Sequence, residues 1–130
     1  IYTGQEVGFN HPFEFFELDS VQPDYTPNQL TSFYEMLNAL KHNHSALNAS
    51  GQLDSMTVWN TTTPDVLAFT RSDAQGDEVT VLVNLSAKDN MVTFTDQAPS
   101  ADSKINYFTG APAEQPNHLG PWEFQVWVNQ

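Results

Sequence analysis

One segment, from Thr26 to Asn48, carries the helical period that most constrains the fold of this chain. Thr26 is a suitable N-cap, Pro27 fits the first helical position because its missing N–H needs no partner there, and Gln29 completes a capping box. Apolar side chains then recur every three or four residues, at Leu30, Phe33, Tyr34, Leu37, Leu40 and Leu47. This pattern predicts one long helix over residues 27–47, which joins two unlike parts of the chain.

The segment before the helix is too short to fold alone. Residues 1–9 begin with a β-prone pair and then carry Gly4 and Gly8, which predicts the end of a strand that runs into a loop. Residues 10–25 combine two prolines with clustered phenylalanines and several acids. Because such aromatic clusters normally pack under other groups, we predict a loop that lies on a surface rather than a disordered linker.

Six short segments with strand composition follow the helix, separated by turn signals. They are residues 56–60, 65–71, 78–86, 91–95, 105–109 and 122–129. In the third segment the apolar residues share one face, namely Val79, Val81, Val83 and Leu85. In the last, Trp122, Phe124, Val126 and Val128 point one way, and Glu123, Gln125, Trp127 and Asn129 point the other. Since each apolar face needs an opposing layer, the predicted fold is mainly β: an antiparallel Greek-key β-sandwich preceded by one long α-helix.

Composition excludes several classes of partner. The chain of 130 residues has a net charge of -12 and only four lysines and arginines. Binding to duplex nucleic acid depends on several cations that neutralise phosphates, so nucleic acid is not expected as a partner, and neither is an anionic membrane surface. With no cysteine, the chain has no disulfide, thiolate metal site or cysteine nucleophile. Its length predicts one domain with a possible appendage.

Four stretches together resemble a known family. They are IYTGQEVGF (residues 1–9), FYEMLNALKHNHSAL (33–47), DVLAFTRSDAQGDEVTVLVNLS (65–86) and GPWEFQVWV (120–128). In this order they resemble the last barrel strand, the last barrel helix and the C-terminal sandwich, often called domain C, of α-amylase superfamily glycoside hydrolases. Lys41 stands where the usual helix pattern of the family has arginine. The first residue is Ile1, and we expect the chain to be part of a longer protein, called here the parent enzyme.

The resemblance implies two parts. Residues 1–50 would be the end of a catalytic barrel, with a strand at 1–9, a loop at 10–25 and a helix at 27–47, and residues 51–130 would be the sandwich. It implies a parent enzyme that hydrolyses α-glucosidic bonds of starch-like glucans by a retaining double displacement. The sequence leaves the compartment open, and an extracellular, periplasmic or bacterial cell-surface location is favoured. The catalytic acids of the family belong to earlier barrel strands, so no catalytic residue, metal site or cofactor is expected in this chain, although the parent enzyme could hold calcium.

The expected partners follow from the same resemblance. They are the barrel domain of the same chain and, through the parent enzyme, an α-glucan. A helix stripe and a strand without their barrel leave apolar surface uncovered. The isolated chain is therefore expected to associate with itself or to fold its first residues back on the sandwich.

Two pairs of residues are candidate sugar contacts. Gln5 and Glu6 follow a predicted barrel strand, at the end where barrel enzymes build their active sites, and either shape the edge of the sugar site or satisfy backbone groups at a tight turn. Trp127 lies among polar neighbours on its strand and, with Trp59, either stacks on a sugar or is buried. A free-standing carbohydrate-binding module that uses these tryptophans is therefore the alternative to a structural sandwich.

The other acidic clusters are interpreted as structural. Glu14, Glu17 and Asp19 are interpreted as a solvated surface rather than a catalytic pair, although a hydrolase that uses Glu14 and Glu17 is a third hypothesis. Three loop acids have oxygen ligands that could suit calcium, namely Asp73, Asp77 and Glu78. Their spacing does not match that of an EF-hand, so an ordinary hairpin loop is favoured.

Overall fold

The computed structural model describes residues 1–14, 16, 26–48 and 56–130. These residues form two compact units, Ile1–Lys41 and His42–Gln130. Most of the predicted loop at 10–25, and the predicted boundary between residues 50 and 51, lie outside the described residues.

The predicted helix is observed as α1, Gln29–Asn43, and its N-cap differs from the prediction. The Leu30 N–H donates to Asn28 Oδ1 (2.8 Å), and the Asn28 N–H donates to the Thr31 hydroxyl (3.0 Å). Asn28 therefore caps the helix instead of Thr26. Asparagine is at least as good an N-cap as threonine, and the reciprocal bond three residues later resembles a capping box.

The helix also ends earlier than predicted. His44 is extended, with φ of -111° and ψ of 112°, and a separate 3₁₀ turn follows at Ser45–Leu47. Leu47 is therefore not part of the helical stripe, and the prediction of a helix to residue 47 is wrong. The apolar spacing continues beyond the end of α1 to Leu47. Spacing alone does not show that the backbone at His44 is extended, so the sequence could not locate the end of the helix.

The first nine residues form a turn rather than the predicted strand. A 3₁₀ turn spans Gln5–Val7. A strand needs a partner strand, and no described segment pairs with these residues in a ladder. Two hydrogen bonds from the start of α1 hold the turn: the Thr31 hydroxyl donates to Glu6 O (2.8 Å), and Asn28 Nδ2 donates to Val7 O (3.0 Å).

The second unit is an antiparallel β-structure with two sheets. Within the described residues the strands are β1 Met56–Val58, β2 Val66–Ser72, β3 Glu78–Asn84, β4 Asn90–Met91, β5 Lys104–Asn106, β6 His118–Leu119 and β7 Phe124–Asn129. The larger sheet has the order β1-β2-β3-β7-β5, and the smaller one pairs β4 with β6. The predicted fold class is confirmed. β6 lies between the last two segments predicted as strands and was not predicted itself, because two residues are too few to show alternation.

Strand register divides the larger sheet into two faces. The inner face includes Ala68, Leu82 and Trp127, which pack with Val92 and Leu119 from the segments of the smaller sheet. The opposite face is called here the outer face. It carries Met56, Val58, Leu67, Phe69, Arg71, Val79, Val81, Val83, Phe124, Val126 and Val128. The second layer therefore covers the side of Trp127, and not the valine side of β3 that the sequence pattern favoured.

Polar side chains on the inner face are buried because they satisfy one another. Trp59 Nε1 donates to Thr70 Oγ1 (2.9 Å), and the hydroxyls of Thr70 and Thr80 are hydrogen-bonded at 2.9 Å. Lys104 Nζ lies 3.4 Å from Thr80 Oγ1 and forms an ion pair with Glu78 at 2.8 Å. Buried polar groups with partners avoid most of the desolvation cost, so this face can be internal although its sequence looks polar.

Asn84 joins three segments at one end of β3. Its side chain is fully buried, and Nδ2 donates to the carbonyls of Lys88 (2.6 Å), Leu119 (3.1 Å) and Gly120 (2.7 Å). Its Oδ1 accepts from the Ser86 N–H (3.0 Å), the Ser86 hydroxyl (2.9 Å) and Asn90 Nδ2 (2.9 Å). The turn after β3 and the segment before β7 are thus held by one amide.

Candidate functional site

Gln5 and Glu6 bind the backbone of their own turn. Gln5 Oε1 accepts a hydrogen bond from the Tyr2 N–H (2.6 Å), and Glu6 Oε2 accepts one from the Gly4 N–H (3.1 Å). Gly4 has a left-handed φ of 92°, and a Cβ added there would lie 2.7 Å from Phe9 Cβ, so only glycine fits without a shift. These contacts correspond to the structural role considered from sequence, and a contact of either residue with sugar stays a prediction.

Two clefts of the first unit border this turn. A cleft of about 350 Å³ has mainly aromatic and polar walls, formed by Tyr2, Thr3, Gln5, Phe9, His11, Pro12 and Phe13. A second, of about 410 Å³, is lined by Ile1, Tyr2, Thr3, Glu6, Thr31, Tyr34, Glu35 and Asn38. Aromatic rings and oxygen-bearing side chains occur together in both. The clefts therefore place Gln5 and Glu6 on surfaces that a ligand can reach.

The two candidate tryptophans lie on the inside of the sandwich. Trp127 has 0% exposed surface, and its Nε1 donates to Gln125 Oε1 (2.9 Å). Trp59 is partly buried against the same core cluster, and its indole N–H is taken by Thr70. Stacking on a sugar needs an open ring face. In this conformation Trp127 offers none, because it is enclosed in the core of the sandwich.

The loop acids hold the second 3₁₀ turn against the β2–β3 hairpin. Asp77 Oδ2 accepts from the Ala46 N–H (3.0 Å), Asp77 Oδ1 lies 2.9 Å from His44 Nδ1, and the Ser45 hydroxyl donates to Asp73 Oδ2. The bond from Ser45, supported by backbone N–H groups within the loop, holds the pKa of Asp73 below its ordinary value. These carboxylates therefore have a structural function in the hairpin.

No metal site is formed by the part of the chain that the structure describes, since it contains no group of three or more His, Cys, Asp or Glu side chains that could hold an ion. Glu78, the third acid of the hairpin, is paired with Lys104. Glu14 is exposed, whereas Glu17 and Asp19 lie outside the described residues. None of the described helices is long and apolar enough to cross a bilayer.

The outer face carries exposed apolar side chains that were not predicted from the sequence. It is buried on the central strands β3 and β7 near the β2–β3 hairpin, where Val79 is 0% and Val128 4% exposed, and it is exposed along the edge strand β1 and at the end that carries Leu67 and Phe124. The exposed apolar side chains on this face are Met56 (55%), Val58 (51%), Leu67 (40%) and Phe124 (37%). The available signal was the alternation of β2, which places Leu67, Phe69 and Arg71 opposite the residues of the inner face.

Trp122 extends this exposed surface beyond the end of β7. Its side chain is 63% exposed, and its backbone has a left-handed φ of 58°, which is uncommon for a bulky residue. The Trp122 N–H donates to Ser86 O (3.0 Å), which fixes the turn. Sequence reasoning placed Trp122 with the apolar side of the last strand but did not identify it as an exposed residue.

The described sandwich and the helix α1 are consistent with the C-terminal β-domain of α-amylase-like enzymes. The chain is similar to two solved structures of the trehalulose synthase MutB, an α-amylase family enzyme: the A258V variant in complex with Tris (26% identity, TM-score 0.54) and the R284C variant (26% identity, TM-score 0.53). Each match covers 76% of this chain but only 18% of the neighbour. Neither a protein-family model nor a curated protein sequence matches the chain.

Proposed function

We propose that this chain is the C-terminal segment of an α-amylase-like glycoside hydrolase, and that its sandwich supports the catalytic barrel of that enzyme. The parent enzyme acts on α-glucosidic bonds of starch-like glucans, and the catalytic acids belong to the barrel. The similarity to an α-amylase family enzyme over a small share of its length supports the segment assignment. The substrate rests on the family resemblance of the sequence.

The observation that carries the structural role is the exposed apolar area of the outer face. Large aliphatic and aromatic side chains on a contiguous surface mark an interaction site, because leaving them in water forfeits about 25 cal/mol for each Å² that a partner could cover. The exposed part of the outer face offers few hydrogen-bonding side chains. A surface of this composition fits another protein surface better than it fits a sugar, which needs hydrogen bonds as well as a ring face.

The inner face also supports a structural role rather than sugar binding. Trp127 is enclosed, and Trp59 has its indole N–H committed to Thr70. A carbohydrate-binding module that works through these two residues would have to open its own core. No contact among the described residues favours that alternative, and calorimetry with maltoheptaose tests it.

The decisive experiment is the intact mass of the native protein that carries this sequence, isolated from its source, together with its activity on maltoheptaose. We expect a mass several times the 14.6 kDa of this chain, and release of reducing ends by the native protein but not by the isolated chain. A native mass equal to that of this chain would refute the proposal. A longer protein without activity on any α-glucoside would refute the substrate assignment alone.

A further inference from the structure

Three consecutive residues, which come directly after the end of α1, are bonded to two acids of the β2–β3 hairpin. His44 Nδ1 lies 2.9 Å from Asp77 Oδ1, and the Ala46 N–H donates to Asp77 Oδ2 (3.0 Å). The Ser45 hydroxyl donates to Asp73 Oδ2. All of these residues belong to the second unit, and their three contacts are called here the latch.

The hairpin side of the latch is held by bonds of its own. Asp73 Oδ1 accepts hydrogen bonds from the N–H groups of Gln75 (2.9 Å) and Asp77 (3.0 Å). At the tip of the hairpin, Asn129 Nδ2 donates to Gly76 O (2.8 Å), which ties the loop to β7. Because none of these bonds involves residues 44–46, the hairpin loop can keep its shape when the latch opens.

The helix side of the latch has little stability of its own. The extended backbone of His44 interrupts the helix, and the 3₁₀ turn that follows has only three residues, Ser45–Leu47. Such short turns are marginal in water without tertiary contacts. Ala46 is 2% exposed, and the side chains of His44 and Asp77 are 16% and 21% exposed, so water competes poorly for their bonds. The position of this turn therefore depends strongly on the two acids.

We propose that the latch is a conformational device: when its bonds open, residues 44–48 leave the hairpin together while the strands of the sandwich stay folded. Local openings of this kind require less free energy than global unfolding, and they occur in segments held by few contacts. In the proposed parent enzyme α1 is the last barrel helix, so the latch sets how firmly the sandwich holds the end of that helix. That role in the parent enzyme rests on the proposed function, whereas the latch itself does not.

Hydrogen exchange of the native protein tests the latch, with peptides that span residues 44–48 and β3 followed by mass spectrometry. Low concentrations of urea accelerate amides that exchange through global unfolding, because that opening exposes much surface, and hardly affect amides that exchange through local opening. We expect the exchange rate of residues 44–48 to be nearly independent of urea, and that of β3 to rise steeply. The same urea dependence in both peptides would overturn the inference.

Substitutions in the native protein identify the bonds that close the latch. Asp77→Ala removes two of its three contacts, and Ser45→Ala removes the third without changing the bonds of Asp73 within its loop. Asp102→Ala removes an exposed acid as the matched control. We expect exchange of residues 44–48 to accelerate about tenfold in Asp77→Ala and about threefold in Ser45→Ala, because a bond to a charged group shifts an equilibrium by factors of this order. Asp102→Ala should stay within about twofold of wild type.

The two latch variants keep the inference falsifiable if one of them fails to fold. Should Asp77→Ala not fold, the acceleration in Ser45→Ala decides the question. Unchanged exchange in the folded variants would overturn the latch, and so would an equal acceleration in Asp102→Ala, which would indicate an effect of net charge. A native mass equal to this chain would refute the proposed function alone, since the exchange experiment is the same for a chain of any length.

Discussion

Replacing Asn84 by leucine measures how much of the second unit depends on one buried amide. Leucine has a similar size but makes none of the hydrogen bonds to Lys88 O, Leu119 O, Gly120 O, Ser86 and Asn90. Each hydrogen bond contributes about 1 kcal/mol net, and a buried group left unpaired costs about 1 to 3 kcal/mol. Because some of these partners are near solvent and can find water, we expect a loss of about 3 to 6 kcal/mol.

This loss is large against the roughly 5 to 15 kcal/mol by which natural domains are stable. Urea unfolding followed by tryptophan fluorescence, to which the enclosed Trp127 contributes, measures it, with Asn117→Leu as a matched control whose side chain is exposed. The control should change the free energy of unfolding by about 0.5 kcal/mol or less. If the Asn84 variant does not fold, Ser86→Ala, which removes one donor to Oδ1, should still cost about 1 kcal/mol. A loss below about 1 kcal/mol for Asn84→Leu would refute the reasoning, since it would mean that the six contacts contribute little net free energy.

The lowered pKa of Asp73 stabilises the fold at pH values above the ordinary carboxyl range, and this contribution is lost as the pH falls through the lowered value. Ser45→Ala removes the largest cause, so its destabilisation in urea titrations should be present at neutral pH and vanish in acid; a difference that persists in acid would contradict the assignment. Trp127→Ala should cost about 3 to 5 kcal/mol by opening the core. Calorimetry of the wild type with millimolar maltoheptaose should show no heat, and tight binding would refute the purely structural role. Leu67→Glu on the outer face should reduce self-association in light scattering without loss of the folded state, because Leu67 is 40% exposed. A monomeric wild type would contradict that prediction.

The helix and the strands were predictable because their signals are local. The apolar period of α1 and the alternation of β3 and β7 each repeat over several residues, and both elements are observed. Ends were less predictable: the choice of Asn28 over Thr26 as N-cap depends on the side-chain bonds made with Leu30 and Thr31. β4 and β6 are too short for any alternation to specify them.

The candidate site was predictable only as a set of residue types. Gln5 and Glu6 were identified from their position after a barrel-like strand, but their hydrogen bonds to Tyr2 and Gly4 are a property of the folded turn. Trp127 was identified from its polar neighbours, and those neighbours prove to be part of the buried interior. Sequence cannot distinguish a polar face that is solvated from one whose polar groups bind one another.

By itself, the sequence determined the class of the fold, the long helix and the alternation that puts Trp127 and Val126 on opposite sides of the sheet. Only the tertiary structure decided which side is internal. Alternation defines two faces but does not say which one a second layer covers, because that choice depends on segments distant in the chain, here those that carry Val92 and Leu119. The same choice leaves Met56, Val58, Leu67 and Phe124 exposed on the outer face.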